Sequence, residues 1–334
     1  MNGGTERSVG KIEFGELLEA HRHELLVHCY RLLGSLTDAE DVLQETLLAA
    51  WRGFEGLQQR QAARAWLYRI ATNRCLNAMR DRGRRIPLAP EPPFRPPPPS
   101  RHGDVPWLQP FPDTLLDEAP DVDPGPEARY IAREAIELAF VAALQRLPPR
   151  QAAALVICDV LGYPLGEAAP MLGATPTAVK GLLQRARSSL DRQRRDARAE
   201  PPTPGSAEER RLTQRFAEAF STDDVDALLA LLTDDAWLAM PPAPHEYRGA
   251  AAIAAFLRAS AEWRAGRRFE LRPTRANGQP AFTCRLADAS AQPTSVIVLA
   301  LSGDRIHRIT RFLDDRLQHH FVPSAAGLRS SGSV

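Results

Sequence analysis

The feature that most constrains this sequence is a dense run of prolines between two segments of helical character. Fourteen of the 29 prolines lie between residues 87 and 126, including Pro96 to Pro99. Proline lacks a backbone N–H and clashes with the preceding helical turn, so this stretch is neither a helix nor a central strand. We predict an extended, solvated tether of the polyproline type that separates independent folding units.

The charged residues are distributed according to the same division into two helical segments and a Pro-rich stretch. Residues 60–85 hold eight arginines and one acid, and residues 180–198 hold seven basic residues and two acids. Between them, residues 86–128 hold two arginines and eight acids. The formal net charge of +1 hides this pattern. Two basic surfaces joined by an acidic tether indicate a polyanion that is bound at two places.

Composition excludes several other classes of protein. Hydrophobic residues make up 44% and charged residues 25% of the 334 residues, which is ordinary globular usage and excludes a disordered or fibrous chain. No apolar run is long enough for a membrane span, and the N-terminus lacks the pattern of a secretory signal. We therefore expect a soluble, cytoplasmic protein. The four cysteines lie far apart, and His319-His320 lacks companions at metal spacing, so we expect no metal and no cofactor.

Helical periodicity covers residues 14–85 and returns from 127 to 199. A second linker, PPTPGS, follows at residues 201–206. From residue 208 two or three helices precede the β-branched runs 294–301 and 305–312, which we predict to be strands. The third unit is therefore expected to be α+β.

A helix is predicted to start at Thr37, because Thr37 to Glu40 has the spacing of a capping box. Its inward stripe would be Ala39, Val42, Leu43, Leu47, Ala50 and Trp51, and its outward residues would be Asp38, Asp41, Gln44, Glu45 and Leu48. The outward face is interpreted either as a solvated acidic surface or as a docking surface for a basic partner.

The next predicted helix, residues 62–80, carries cations and amides on one face. These are Arg69, Asn73, Asn77 and Arg80, followed by the basic tail Arg82, Arg84 and Arg85. Cations suit phosphates and amides suit base edges, as a nucleic-acid surface requires. The other interpretation is an ordinary exposed face without a ligand.

Residues 165–190 predict a helix-turn-helix rather than a plain helical hairpin. Thr175 suits the N-cap of the second helix and Pro176 its first position. Seven residues of this segment would face a major groove: Thr175, Thr177, Lys180, Gly181, Gln184, Arg185 and Arg187. Pro170 predicts that the first helix is kinked or short.

Three motifs together resemble regions 2 and 4 of sigma-70 family sigma factors of the extracytoplasmic function group. They are D-A-E-D-V-x-Q-E-T from Asp38, W-L-Y-R-I-A-x-N-R from Trp66 and V-K-x-x-x-x-R-A-R from Val179. The resemblance implies that the outward face from Asp38 to Leu48 docks on the β′ clamp helices of core RNA polymerase, with the β subunit as a further contact. It also implies that the 69–84 set reads the −10 element of promoter DNA and the 175–187 set reads the −35 element.

Residues 206–323 resemble the SnoaL-like, or nuclear transport factor 2-like, fold, which is a curved sheet with helices around a pocket. The tether motif Trp107 to Asp113, WLQPFPD, is similar to one found in sigma factors that carry this domain. Five residues are too apolar for a solvated tether, namely Trp107, Leu108, Phe111, Leu115 and Leu116. We expect them to dock, either as loose packing on the nearest domain or as a regulatory contact that also involves Asp113.

The resemblance also bears on catalysis. Steroid isomerases of this fold place proton-transfer groups where this chain has Phe216, Met240 and Ile297, none of which exchanges protons. His245, Glu246, Asp234 and Asp235 remain as polar candidates for the pocket. We therefore interpret the third unit as a binding module and not an enzyme, with a small-molecule ligand in its pocket as an additional partner.

The expected organisation is multidomain: two all-α sigma domains followed by an α+β cone. The boundaries are region 2 at 10–86, a Pro-rich acidic linker at 87–126, region 4 at 127–199, a SnoaL-like regulatory domain at 206–323 and a disordered tail at 324–334. The predicted function is promoter recognition and transcription initiation with core polymerase, adjusted by contact of the C-terminal domain with the sigma domains. Two rivals are a dimeric helix-turn-helix regulator and a cyclase-like enzyme fused to a DNA-binding part.

Overall fold

The secondary structure consists of a helical N-terminal part and an α+β C-terminal part. A computed structural model describes residues 3–54, 62–82, 92–105, 107–117, 135–193, 199–287, 295–314 and 317–321. The chain divides into two compact units, one made of residues 1–86 and 113–197 and the other of residues 87–112 and 198–334. The predicted tail at 324–334 lies outside the described residues. None of the described helices is both long and apolar enough to cross a membrane.

The helical unit contains two groups of helices. The first group is α1 (Gly3–Leu33), α2 (Leu36–Gly53) and α3 (Ala63–Arg82). After the short helix α4 (Thr114–Asp117), the second group is α5 (Leu138–Leu144), α6 (Pro149–Leu155), α7 (Leu165–Met171) and α8 (Pro176–Gln193), with a π-helical turn at Val156–Val160.

Apolar side chains at helical spacing hold each group together. In the first group α1, α2 and α3 pack on one another through fully buried residues such as Leu25, Leu36 and Leu67. In the second group α6 and α7 both pack on α8, where Val179 and Ala186 are fully buried. This periodicity of three and four residues is the pattern from which the helices were predicted.

The C-terminal unit contains a seven-stranded mixed sheet with order β1-β3-β2-β7-β6-β5-β4. Its elements are β1 (Arg101–His102), α9 (Ala207–Thr222), α10 (Val225–Leu229), β2 (Leu232–Met240), β3 (Ala243–Arg248), α11 (Gly249–Arg264), β4 (Phe269–Ala276), β5 (Gln279–Leu286), β6 (Ser295–Ser302), β7 (Arg305–Phe312) and α12 (Gln318–Phe321). Only the pair β2–β7 is parallel among the described strands. The two predicted strands therefore correspond to β6 and β7.

An aromatic core joins the helices of this unit to one face of the sheet. It includes Phe216, Tyr247, Phe282, Leu299 and Ile309. The rings of Phe216 and Phe282 stack 5.7 Å apart. The Asn277-Gly278 turn joins β4 to β5 with φ of 58° and 70°, because a two-residue hairpin turn of this type needs positive φ at both central residues.

Candidate nucleic-acid and protein interfaces

The outward face of α2 is set by a cap two residues earlier than predicted. Ser35, not Thr37, is the N-cap, and its hydroxyl accepts a hydrogen bond from the Asp38 N–H at 3.2 Å. Asp41, Gln44 and Glu45 are exposed, whereas Asp38 is half-buried. The predicted capping box at Thr37 is therefore wrong, but the helix still presents the predicted acidic residues.

Two large apolar side chains share the exposed side of α2. Leu48 is 59% and Trp51 48% exposed. Trp51 was predicted to face inward, and this was wrong: each helical residue advances by about 100°, so Trp51 lies well round the helix from the buried Ala50. Exposed apolar groups ringed by polar residues are typical of protein interfaces.

The exposed face of α3 carries the predicted basic and amide side chains. Arg69, Asn73, Asn77 and Arg80 are all exposed, whereas Leu67, Ala71 and Cys75 are buried on the other side. The Asn73 amide donates to the Arg69 carbonyl at 2.9 Å, so its carboxamide is held along the helix. The Arg82 side chain and Arg84 lie outside the described residues.

The second helix of the predicted helix-turn-helix, α8, begins as expected. The Ala178 N–H donates to the Thr175 hydroxyl at 3.3 Å, and Pro176 is the first helical residue. Five of the predicted groove-facing side chains are exposed, namely those of Thr177, Lys180, Gln184, Arg185 and Arg187, and Thr175 is exposed as well. Gly181 is half-buried. The preceding helix α7 spans only seven residues and contains Pro170, as the sequence predicted.

Arg187 differs from its neighbours because it is held by an ion pair. Its guanidinium makes two hydrogen bonds to the Asp159 carboxylate, at 2.6 and 2.9 Å. This bidentate pair raises the pKa of Arg187 and directs its side chain towards the end of the π-helical turn. The freest cations on α8 are consequently Lys180 and Arg185.

The two helical groups contact each other within the helical unit. Arg64 of α3 donates to the Tyr163 hydroxyl at 3.2 Å, while Glu24 of α1 accepts from Arg64 at 2.8 Å and from the Tyr68 hydroxyl at 3.1 Å. The Tyr68 and Tyr163 rings meet edge to face at 5.9 Å. We call these four residues the Arg64 cluster.

The Arg64 cluster contains a carboxylate that stays ionised in acid. Burial by itself would raise the pKa of Glu24, but hydrogen bonds from His21 and Arg64 and the charge of Arg64 lower it to about 2. Glu24 therefore remains a charged partner of Arg64 across the physiological range.

A second link joins the end of α1 to the second group. The Gln145 amide donates to the carbonyls of Arg31 and Leu32, at 3.3 and 3.1 Å, and the Arg31 guanidinium donates to the Ala135 carbonyl at 3.2 Å. Gly34 has φ of 67°, a conformation that favours glycine, and a Cβ there would lie 2.8 Å from the Gln145 side chain, which would have to shift. These contacts cap the carbonyl end of α1.

A cleft of about 450 Å³ lies between the two helical groups. It is lined by Leu76 and Arg80 of α3, by Pro148 to Gln151 at the start of α6 and by Leu182 of α8. One of the predicted −10 residues, Arg80, therefore lines this cleft beside the helix-turn-helix, and its side chain is exposed.

Residues 92–105 and 107–112 of the Pro-rich stretch pack on the C-terminal unit, so the prediction of a solvated tether was wrong for them. Arg101 and His102 pair with β3 as strand β1. Arg101 binds Glu246 at 2.5 Å and lies over the Trp237 ring, while the Tyr247 hydroxyl donates to the Pro97 carbonyl at 2.9 Å. We call residues 92–112 the docked tether.

The WLQPFPD motif forms the end of the docked tether. Phe111 is fully buried, and its N–H donates to the Asn277 side chain while the Asn277 N–H donates to the Phe111 carbonyl, both at 2.8 Å. Gln109 donates to Asp314 at 2.8 Å, and Leu108 is buried. The expectation that this apolar motif docks is confirmed for Leu108 and Phe111, whereas Trp107 and Asp113 are half-buried.

The pocket of the C-terminal unit differs from the one predicted. Phe216, Met240 and Ile297 are buried apolar residues. None of the four polar candidates lines the pocket. Asp234 is fully exposed, and Asp235 accepts a hydrogen bond from Thr233. His245 pairs with His102 across β1 and β3, and Glu246 binds Arg101 and Arg308. Its polar lining consists instead of Asp223, Asp224, Ser260, Arg264 and Arg311.

Sequence reasoning missed both the Arg64 cluster and the two pocket arginines. The sequence offers one local indication of the two pocket arginines, which is that each stands within or beside an apolar run. Arg311 lies in β7, and Arg264 lies in the last turn of α11. Their meeting across the pocket depends on the tertiary fold, which periodicity does not encode.

Comparison with known protein families matches three segments of the chain. The model for sigma-70 region 2 matches residues 17–85, that for sigma-70 region 4 matches residues 137–190, and that for the SnoaL-like domain matches residues 213–320. These segments coincide with the first helical group, the second helical group and the α+β unit.

Individual relatives match over most of the chain. The ECF RNA polymerase sigma factor SigG of Mycobacterium tuberculosis is 40% identical over 309 residues, which cover 91% of this chain and 82% of the relative. The ECF RNA polymerase sigma factor SigJ of the same organism is 29% identical over 218 residues, which are 65% of this chain and 61% of the relative. The crystal structure of SigJ superposes with a TM-score of 0.60 at 19% identity, covering 90% of this chain and 97% of that one, and so shares its fold.

Proposed function

Because this chain belongs to the family of extracytoplasmic function (ECF) RNA polymerase sigma factors, we propose that three faces of its helical unit perform the steps of initiation. The face of α2 binds core RNA polymerase, the face of α3 binds the −10 element, and the face of α8 binds the −35 element. Most of the predicted side chains that the structure describes on these three helices are exposed, and this is the observation that carries the proposal. The protein acts in the cytoplasm, where core polymerase and promoter DNA are.

The face of α2 suits a basic protein partner. Asp41 and Glu45 supply negative charge, and Leu48 and Trp51 supply apolar area that burial in a complex would remove from water. Glu45 makes a long contact of 3.5 Å with Arg74, both well exposed, and such a pair contributes little. Both carboxylates are therefore available to polymerase.

The faces of α3 and α8 suit different forms of DNA. Asn73, Asn77 and Arg69 combine amides that bind unpaired base edges with a cation for the backbone, as opening of the −10 element requires. Lys180, Gln184 and Arg185 project from a capped helix that fits a major groove, where arginine pairs with guanine and glutamine with adenine.

The C-terminal unit regulates this activity by holding the chain between the two sigma regions. The docked tether belongs to the C-terminal unit, although in sequence it lies between the first and second helical groups. Regions 2 and 4 have to separate in order to reach −10 and −35 together. Release of the tether provides the extra chain length that separation needs, so the C-terminal unit acts through contact and not through catalysis.

Transcription with purified core polymerase tests the proposal. Sheared genomic DNA of the source organism is transcribed with and without the protein, and the 5′ ends of the transcripts are mapped. We expect new start sites that share two upstream sequence elements. The variant with Asp41→Arg and Glu45→Arg should neither co-purify with core enzyme nor produce these starts, because like charges at an interface cost several kcal/mol.

A matched double reversal on α9 and α11, Glu218→Arg with Glu262→Arg, is the control, since both residues are exposed on the other unit. It should retain core binding. Core binding by the α2 variant at the parental level, with an unchanged circular dichroism spectrum, would contradict the assignment of α2.

A further inference from the structure

The pocket of the C-terminal unit is an apolar cavity with two arginines in its lining. It lies among α9, α10, α11 and strands β2, β4 and β7, and its apolar lining includes Phe220, Leu228, Leu238, Phe256 and Ile309. The arginines are Arg264 at the end of α11 and Arg311 in β7. A charged group in such surroundings is costly unless something compensates it.

Arg264 is nearly inaccessible to solvent, with 4% of its side chain exposed. Its Nε donates to the Ser260 carbonyl at 3.1 Å, and one terminal nitrogen binds the Asp223 carboxylate at 2.5 Å. The other terminal nitrogen, Nη1, is buried and has no hydrogen-bond partner among the described residues. A buried N–H without a partner costs free energy. An unpaired guanidinium N–H in the wall of a cavity therefore indicates that the cavity binds a group with a hydrogen-bond acceptor.

Arg311 brings a second positive charge to the same cavity. Its Nε donates to the Ser295 hydroxyl at 3.0 Å, and it has no ion pair with any described carboxylate. Both guanidiniums lie on the Phe269 ring, 4.3 Å and 4.4 Å from its centroid. Burial lowers the pKa of Arg311, and the nearby charge of Arg264 lowers it further.

Two carboxylates, those of Asp223 and Asp224, also line the pocket, and both already have hydrogen-bond partners. Asp223 is the partner of Arg264, and Asp224 accepts from the Ala227 N–H at 2.9 Å as the N-cap of α10. Asp223 adopts a left-handed conformation with φ of 59° where α9 ends, which places its carboxylate beside Arg264. Asp224 is exposed, so the inner part of the cavity holds the two guanidiniums and the single carboxylate of Asp223.

We propose that this pocket binds a small carboxylic acid with a short apolar body. The carboxylate lies between Arg264 Nη1 and Arg311, because planar guanidinium groups match carboxylates in both charge and geometry. The space open to the centres of water molecules is only about 20 Å³, so the head group fills it. The apolar body extends towards Val225 and Leu257, lining residues that are half-exposed.

Ligand-observed NMR on the full chain tests the proposal with three carboxylates, butyrate, hexanoate and benzoate, and with the matching neutral amides. We expect at least one carboxylate to bind and its amide to bind at least tenfold more weakly. Arg311→Gln should weaken that carboxylate at least tenfold, whereas Arg272→Gln, which alters an exposed arginine of β4, should leave it unchanged. Inorganic phosphate should not displace the carboxylate at equal concentration.

A second variant pair keeps the test valid if Arg311→Gln does not fold. Val225 is half-exposed at the first residue of α10, where either polar replacement fits. Val225→Glu should abolish carboxylate binding by repulsion, and Val225→Gln should retain it. Equal binding of acid and amide, full displacement by phosphate, equal binding by the Val225 variants, or no binding by any of the three acids would each overturn the proposal. None of these readouts depends on the polymerase or promoter faces.

Discussion

In the proposed function, single side chains divide promoter reading between two kinds of chemistry. Arg185 is an exposed cation on a capped helix, whereas Asn73 is an amide held along α3 by a hydrogen bond to the Arg69 carbonyl. Arg185→Ala should reduce discrimination at −35 by about 1–3 kcal/mol if the guanidinium binds a base, or reduce the salt dependence of binding if it contacts phosphate. Asn73→Ala should leave closed-complex affinity largely intact and reduce promoter opening.

Permanganate footprinting of the −10 region separates these two roles. The Arg185 variant, at concentrations that restore occupancy, should melt DNA normally, and the Asn73 variant should not. A conservative Arg185→Lys variant shows whether charge alone suffices. Normal melting by the Asn73 variant would remove that residue from the −10 assignment.

His28 makes the stability of the helical unit depend on pH. Its Nε2 lies 2.9 Å from the Thr72 hydroxyl, and burial together with the nearby Arg31 charge lowers its pKa to about 3. The unfolded chain, with a histidine pKa near 6.5, then binds more protons than the folded chain below that value. Stability is therefore complete above about pH 6.5 and falls by roughly 1.4 kcal/mol per pH unit on acidification, down to the folded pKa.

Urea unfolding of the parent and of His28→Gln at pH 7 and pH 5 measures this effect. The parent should lose about 2 kcal/mol more than the variant between these two pH values. The other titrating groups are common to both proteins and cancel in the difference. An identical loss in the two proteins would show that His28 is not held neutral.

For single residues, the sequence predicted which helix faces are exposed. It did not predict every N-cap or every residue at the border between the buried and exposed faces. Helical period alone identified Asp41, Glu45 and Arg185, because burial on a helix repeats locally. It misassigned Trp51, which lies at the edge of the stripe, and Thr37, because Ser35 competes for the same cap. Arg264 and Arg311 could not be paired from sequence, since they meet only through tertiary packing.

Among the elements, the docked tether departs most from the sequence-based prediction. The proline content predicted a solvated polyproline segment. The absence of helix was predicted correctly, but the exposure to solvent was predicted wrongly. Phe94, for example, packs against the rings of Phe256 and Trp263 at 5.6 and 6.0 Å. The surface that receives it is formed by residues more than 100 positions later, which no local pattern reveals.

The Asn277 side chain should control docking of the tether. Asn277→Gly keeps the positive φ of the turn but removes the acceptor for the buried Phe111 N–H, and an unmet buried donor costs about 1–3 kcal/mol. Hydrogen exchange at residues 107–112 should then become roughly tenfold to a hundredfold faster, and transcription should change with it. Asp304→Gly, in the exposed turn between β6 and β7, is the matched control.

Unaltered exchange at residues 107–112 in Asn277→Gly would show that this hydrogen bond does not hold the tether. Faster exchange with unaltered transcription would show that docking has no part in regulation. The two readouts therefore test the structural claim and the functional claim separately.

In the whole molecule, the two regions that read promoter DNA are packed into one unit. The Arg64 cluster and the Gln145 contacts join them, and Arg80 lies in the cleft between them. The sequence predicted the order of the three domains, which the family matches confirm, and the DNA surface on each sigma region stays a prediction. It could not predict this packing, because the contacts join residues about 100 positions apart. Such a closed state is reversible if polymerase favours the open one by a few kcal/mol.

The proposed function requires the two regions to separate during initiation, and fluorescence resonance energy transfer between dyes on them measures this separation directly. Dyes are attached through Glu19→Cys on α1 and Glu167→Cys on α7, both of which are exposed, after Cys158→Ser removes the half-buried thiol. Transfer should be high in the free protein and fall sharply when core polymerase and promoter DNA are both present. High transfer retained in complexes that make full-length transcript would contradict the account.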